Sequence, residues 1–134
     1  VGGGFVLRKK VLVIDDQAGI RALMTEVFTA LGIEVLEAKN GSEGLETMDR
    51  RQPDMILLDM KMPGLSGIET LRLIRAKNYA VPIILVTAYQ ENDIIVEAER
   101  LGVTARLVKP FDIEELKRIA RLVINCDTFL VAGA

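Results

Sequence analysis

Five short, mostly apolar runs, each followed by a segment with apolar residues at helical spacing, constrain this chain more than any other feature. The runs are Val11–Ile14, Glu34–Ala38, Met55–Leu58, Pro82–Val86 and Ala105–Val108. Each has the length of a strand, and the most apolar of them suit burial on both faces of a sheet. After the first run, Ile20, Leu23, Met24, Val27, Phe28 and Leu31 recur in steps of three and one, and Gly32 supplies a stop. Asn40 with Glu43, Ser66 with Glu69, and Asp112 with Glu115 have the spacing of capping boxes. They open helices that carry Leu45 and Met48, then Ile68, Leu71 and Ile74, then Leu116, Ile119, Ala120, Val123 and Ile124. A weaker stripe over Asp93–Leu101 ends at Gly102. Strands alternating with helices of this length imply right-handed βαβ crossovers and a parallel sheet covered on both faces.

The 134 residues suffice for one domain with a core. We expect residues 1–8, which contain Gly2-Gly3-Gly4, to be a flexible leader, 9–126 the domain, and 127–134 a tail. A net charge of −2 offers no electrostatic reason for nucleic-acid or membrane binding. Cys126 is the single cysteine, so no internal disulfide forms. No run approaches the ~20 apolar residues of a membrane span, and a cytoplasmic address is expected. The absence of histidine removes histidine acid–base catalysis, histidine-activated nucleophiles and histidine metal ligands. Any chemistry rests on carboxylates, lysines, hydroxyls and a hard metal ion.

In open α/β sheets the ligand crevice lies beyond the carboxyl ends of the strands. Standing there are Asp15 and Asp16 after strand one, Asp59 after strand three, Thr87 after strand four and Lys109 after strand five. Singly, these read as a helix cap, a strand-end residue and a surface lysine. Together on one edge they read as a site. Three neighbouring carboxylates repel unless a cation holds them ionised. An all-oxygen donor set suits Mg²⁺, with Mn²⁺ as the second choice. Asp59, ending the apolar run LLD before the loop MKMPGLSG, is then placed as a nucleophile toward phosphorus. Lys109 supplies charge and Thr87 a hydrogen bond.

Asp15-Asp16, Asp59, Thr87 and Lys109-Pro110, in that order and at those strand ends, resemble the response-regulator receiver domain of two-component signalling. The resemblance runs over residues 10–124. The strings DDQAGIR, LLDMKMPG, TAY and KPFDIEEL are similar to the single-domain phosphorelay intermediaries of sporulating bacteria, and also to receivers that front enhancer-dependent transcription factors. The resemblance implies an α/β, flavodoxin-like (βα)5 doubly wound parallel sheet of strand order 2-1-3-4-5. It implies Asp59 as phosphoacceptor, and Mg²⁺ on Asp16, Asp59 and the backbone carbonyl of Lys61, with Asp15 acting through water. It further implies phosphoryl contacts from Thr87 and Lys109, and a cis Lys109–Pro110 bond. The partner histidine belongs to another protein, a histidine kinase or a histidine phosphotransferase.

Gln17, Gly19, Ile20, Leu23, Tyr89, Pro110 and Phe111 border the expected pocket, and the resemblance implies a docking surface for such a partner. The competing assignment puts Ile20 and Phe111 in the core. Many receivers carry an aromatic residue three before the lysine, coupled to the threonine as a switch. Here that position is Arg106, so the Thr87 signal is weaker or differently routed. A receiver cut from a longer transcriptional regulator is an alternative, as is an aspartyl-phosphate phosphatase. Against the phosphatase, that class typically has a second Asp where Lys61 stands. No GxxxxGK[ST] loop supports an NTPase. Nothing after Cys126 resembles an output domain, which favours a stand-alone relay protein.

Overall fold

A computed structural model of the chain describes residues 8–77, 80–88 and 92–124. Strands β1 (Lys10–Ile14), β2 (Glu34–Ala38), β3 (Met55–Asp59), β4 (Ile83–Ala88) and β5 (Ala105–Lys109) alternate with helices α1 (Ala18–Ala30), α2 (Gly41–Arg51), α3 (Gly67–Ala76), α4 (Asn92–Arg100) and α5 (Ile113–Ile124). All neighbouring strands pair in parallel, in the order β2-β1-β3-β4-β5. This is the flavodoxin-like arrangement expected from the sequence.

The apolar runs are continuous because successive side chains alternate between two cores. Val11, Val13, Met55, Leu57, Ile84, Val86 and Leu107 face α1 and α5, meeting Met24, Val27, Phe28, Leu116, Ile119 and Val123. Leu12, Ile14, Ile56, Leu58, Ile83 and Leu85 face the other way, onto Met48 of α2, Leu71 and Ile74 of α3, and Ala98 of α4. Neither face can be traded for a polar one without opening a core.

Several strand boundaries differ from the sequence reading. Pro82 stays outside β4: it has no N–H to donate, although its carbonyl accepts from Ile56 N–H at 2.9 Å. At their far ends β3, β4 and β5 run on to Asp59, Ala88 and Lys109 because each has a partner in register: Asp59 opposite Val86, Thr87 opposite Val108, Ala88 opposite Lys109. Asp59, Thr87 and Lys109 are thus held by the sheet itself rather than by the loops after it.

The helix starts follow the predicted caps, but of the three boxes expected one is shown as reciprocal. Ser66 and Glu69 form the full reciprocal box. Asn40 accepts from Glu43 N–H at 2.8 Å, but the Glu43 carboxylate turns to Lys39 N–H. Asp112 accepts from Glu115 N–H at 2.7 Å. The weak stripe of α4 buries Ala98 while Val96 stays exposed. Polar contacts compensate. Arg75 at the end of α3 donates to the carbonyls of Leu101 and Gly102, which finish α4, and to that of Val81 ahead of β4 (2.7, 2.9 and 3.0 Å).

The β3–α3 crossover closes by backbone contact. Gly67 N–H donates to Met60 carbonyl at 3.2 Å, and a Cβ on Gly67 would overlap backbone atoms of both Met60 and Asp59. Only glycine lets α3 start this near the end of β3. Gly67→Ala is expected to cost about 1–3 kcal/mol, read as a lower urea midpoint with an unchanged m-value; full stability would show that the loop relaxes freely.

Candidate functional site

The polar edge of the sheet is built strand by strand. β1 hands the chain to Asp15, whose N–H still pairs with Ala38 carbonyl at 3.1 Å. The Asp15 carboxylate then accepts from Gln17 N–H at 2.8 Å, an Asx-type turn that reverses the chain into α1. Gln17, at the N-cap, offers no side-chain cap of its own. The aspartate therefore serves the turn as well as the pocket. β3 delivers Asp59 next door, with Lys61 N–H at 3.4 Å from its Oδ1.

Asp15, Asp16 and Asp59 bring carboxylate oxygens within 4.8 Å of one another. Asp15 and Asp59 are 3% exposed, while Asp16 lies open to water. From β5, Lys109 Nζ approaches Asp59 Oδ1 at 3.5 Å and keeps part of its side chain in solvent. Thr87 is 1% exposed, and its hydroxyl has no partner among the described residues. A buried hydroxyl without a partner costs free energy unless a ligand or water completes it.

The charges do not balance. Burial pushes the Asp59 carboxyl above its ordinary pKa, and the neighbouring Asp15 charge pushes it further. Lys109 and the Lys61 N–H pull it down by less. Asp15 is raised as well, chiefly by burial and secondarily by Asp16, against the lowering from Gln17 N–H, Lys109 and Arg21. Three carboxylates against one ammonium leave a site that favours added positive charge. The donors are all oxygen, so a hard divalent cation such as Mg²⁺ fits the chemistry present. What the arrangement offers is a hidden carboxylate flanked by two further carboxylates, an ammonium and an unspent hydroxyl.

The other residues singled out in the sequence fall around this edge. Gln17, Gly19 and Pro110 are exposed. Ile20, Leu23 and Phe111 are half-buried and pack on the α1–α5 core, so each presents one side to that core and another outward. Tyr89 lies outside the described residues, as do Cys126 and the 127–134 tail. The Lys109–Pro110 peptide is cis. Arg106 is exposed on β5, opposite Leu85, in a cleft it shares with Ile95 and Glu99 of α4.

Two residues that hold the edge together were not singled out by reasoning from the sequence. Gly67 is one glycine among 11, and its close approach is visible only in three dimensions. Arg21 looks like any arginine in a first helical turn, yet its Nη1 donates to Asp15 carbonyl at 2.8 Å.

Comparison with known proteins agrees with this geometry. The response regulator receiver domain family model matches residues 11–121. The chain is 41% identical over 112 residues to sporulation initiation phosphotransferase F of Bacillus subtilis, covering 84% of this chain and 90% of that protein. It is 36% identical over 116 residues to regulatory protein AtoC of Escherichia coli, covering 87% of this chain but 25% of that protein. The structure of Vibrio cholerae chemotaxis protein CheY4 superposes with a TM-score of 0.82 at 30% identity, over 87% of this chain and 99% of that one. A response regulator receiver domain from Clostridium thermocellum gives 0.83 at 31% identity, over 91% and 98%.

The raised carboxyls generate a stability prediction. A group whose folded pKa lies above its unfolded value destabilises the fold once the pH exceeds the folded pKa. Without divalent cations, Asp59→Asn should raise the thermal midpoint at pH 7 by several degrees, about 4 °C per kcal/mol for a domain this size. The gain should shrink as the pH falls through the raised pKa and vanish below about pH 3.9, where both states are protonated. A loss of stability at pH 7 would mean that the Lys109 pair outweighs burial and the Asp15 repulsion.

Proposed function

The chain belongs to the response-regulator receiver domain family, and from that premise we propose that it takes a phosphoryl group from a partner's phosphohistidine onto Asp59, in a Mg²⁺-dependent reaction, as a single-domain phosphorelay intermediary. The observation that carries the reading is Asp59 itself: a buried carboxylate at a sheet edge, beside two further carboxylates, one ammonium and one unspent hydroxyl.

In the transfer, an Asp59 carboxylate oxygen forms the new bond to phosphorus as the phosphorus–nitrogen bond of the phosphohistidine breaks. The electron pair leaves with the imidazole, which takes up a proton. Sheet register holds the nucleophile still, so little of the encounter has to be spent on orienting it. Asp16, Asp59 and the Lys61 carbonyl would hold the cation directly, and Asp15 through water. Bound there, Mg²⁺ would offset the negative charge of the carboxylates and the incoming phosphoryl oxygens. Lys109 follows the charge as it moves from the carboxylate onto the phosphoryl group, and the Thr87 hydroxyl gains the acceptor it lacks. None of the 134 residues is a histidine, so the donor and recipient histidines lie outside them. We assign a histidine kinase and a histidine phosphotransferase to these roles, docking over Gln17, Gly19, Ile20, Leu23, Tyr89, Pro110 and Phe111, and place the exchange in the cytoplasm. Among the described residues no helix is long and apolar enough to cross a membrane.

The relay assignment is supported by the 90% coverage of the sporulation phosphotransferase. The 25% coverage of AtoC favours a second reading, a receiver that belongs to a longer regulator. Arg106 weighs toward the relay. A guanidinium exposed to solvent is costly to bury against the apolar side chains of its cleft, so the exposed edge of β5 would change less on phosphorylation than one carrying an aromatic ring.

Intact-mass measurement after treatment with acetyl phosphate and Mg²⁺ should give a single phosphoryl adduct, lost with EDTA and in Asp59→Asn. An adduct that survives Asp59→Asn would move the acceptor elsewhere. Steady release of phosphate that survives the same substitution would point to phosphatase chemistry instead. Lys109→Ala should slow adduct formation about 10- to 100-fold, the worth of one hydrogen bond to a charged group, with Mg²⁺ affinity changed less. Equal loss of both would make the lysine's role structural.

A further inference from the structure

We propose that Arg21 is a positioning residue for the cation site, fixing the Asp15–Asp16 peptide so that the Asp16 carboxylate stands beside Asp59. The proposal rests on the metal-dependent receiver reading and extends it to a residue outside the ligand set.

Asp16 is the exposed member of the carboxylate cluster, so packing does not hold it. Its position is inherited from the peptide that joins it to Asp15. Three contacts pin that turn: Asp15 N–H on Ala38 carbonyl at 3.1 Å, Asp15 Oδ1 on Gln17 N–H at 2.8 Å, and Asp15 carbonyl on Arg21 Nη1 at 2.8 Å. The last is the only one made to the Asp15–Asp16 peptide plane itself, since the Asp15 carbonyl is half of that peptide. Rotating the plane would swing the Asp16 Cα and its carboxylate with it.

The arginine is well placed to hold the carbonyl still. Its own N–H pairs with Gln17 carbonyl at 3.1 Å, which ties its backbone to the same turn. Its side chain is 18% exposed, and Nε reaches Glu37 Oε1 of β2 at 3.3 Å. One planar group thus spans from β2 to the end of β1, and its fork geometry fixes both directions at once. An ordinary surface pair would be worth little. Here the Glu37 end is half exposed, but the Arg21 side chain is mostly covered and its second bond goes to backbone.

Charge and position predict opposite signs. A guanidinium near a cation site repels the cation, so if Arg21 acted by charge alone, neutralising it would tighten Mg²⁺ binding. If it acts by holding the peptide, the same substitution loosens binding. The proposal requires the second outcome.

The test is calorimetric titration of the protein with Mg²⁺, comparing wild type, Arg21→Gln and Arg21→Lys, each first confirmed folded by its thermal transition in EDTA. Arg21→Gln is expected to raise the Mg²⁺ Kd about ten-fold, within the range found when groups supporting metal ligands are removed. Arg21→Lys, which keeps the charge and reaches with one nitrogen, should fall between it and wild type. At saturating Mg²⁺ the rate of Asp59 phosphorylation by acetyl phosphate should return to the wild-type value, a recovery that general loosening of the fold would not give. An Arg21→Gln affinity equal to or tighter than wild type overturns the proposal; should that variant not fold, Arg21→Lys decides on the same criterion. A wild-type protein that binds no Mg²⁺ overturns the metal-dependent reading and this proposal with it.

Discussion

Two carboxylates, Asp15 and Asp59, are withdrawn from water at one edge of a parallel sheet, with a third, Asp16, close by. Burying like charges together is unfavourable, and both buried carboxyls are displaced toward the neutral form. The rest of the fold makes this tolerable by being so uniformly apolar elsewhere. Two cores on opposite faces of the sheet supply the stabilisation that the edge consumes. Lys109 offsets part of the cost, and its distance of 3.5 Å from Asp59 leaves room for other partners. A site strained in this way favours whatever brings positive charge, and an incoming phosphoryl group needs that charge as well.

The sheet does more than hide Asp59. Asp59, Thr87 and Lys109 lie within the last residues of three adjacent strands, so their relative placement is set by ladder register. Register is strongly specified here because both faces of every central strand are buried, and a slip of one residue would exchange the two cores. These three side chains are thereby attached to strand ends rather than to loops. The loops carry the adjustable pieces: the Asp15–Asp16 turn with its Asx bond and arginine brace, and the β3–α3 crossover in which Gly67 approaches the Asp59 backbone.

The far side of the molecule is held differently. α4 buries little beyond Ala98, and polar contacts compensate, with Arg75 binding the carbonyls that finish α4 and Arg72 bonding Glu97 at 2.7 Å. Hydrogen-bonded and partly exposed, such contacts are individually weak compared with core packing. Arg106 lies exposed in the cleft between this helix and β5, beside Leu85, Ile95 and Glu99. A domain built this way has its carboxylate edge on the sheet beside a face joined by polar bonds.

Much of this was legible in the chain read alone. Alternation of strand-length apolar runs with helical stripes determined the α/β class, because periodicity is a local property of side-chain spacing. The residue types at the strand ends, with the resemblance they carry, pointed to the receiver family, and the caps at Ser66 and Asp112 were readable from three-residue spacings. Other features needed tertiary structure. Which carboxylates are hidden, that Thr87 lacks a partner, that Gly67 admits no Cβ and that Arg21 and Arg75 bind distant carbonyls all depend on groups separated in sequence meeting in space. Periodicity tells which way a residue faces along its own element; only the packing of one element on another decides what it meets there, and so whether its charge stays in water or is held out of it.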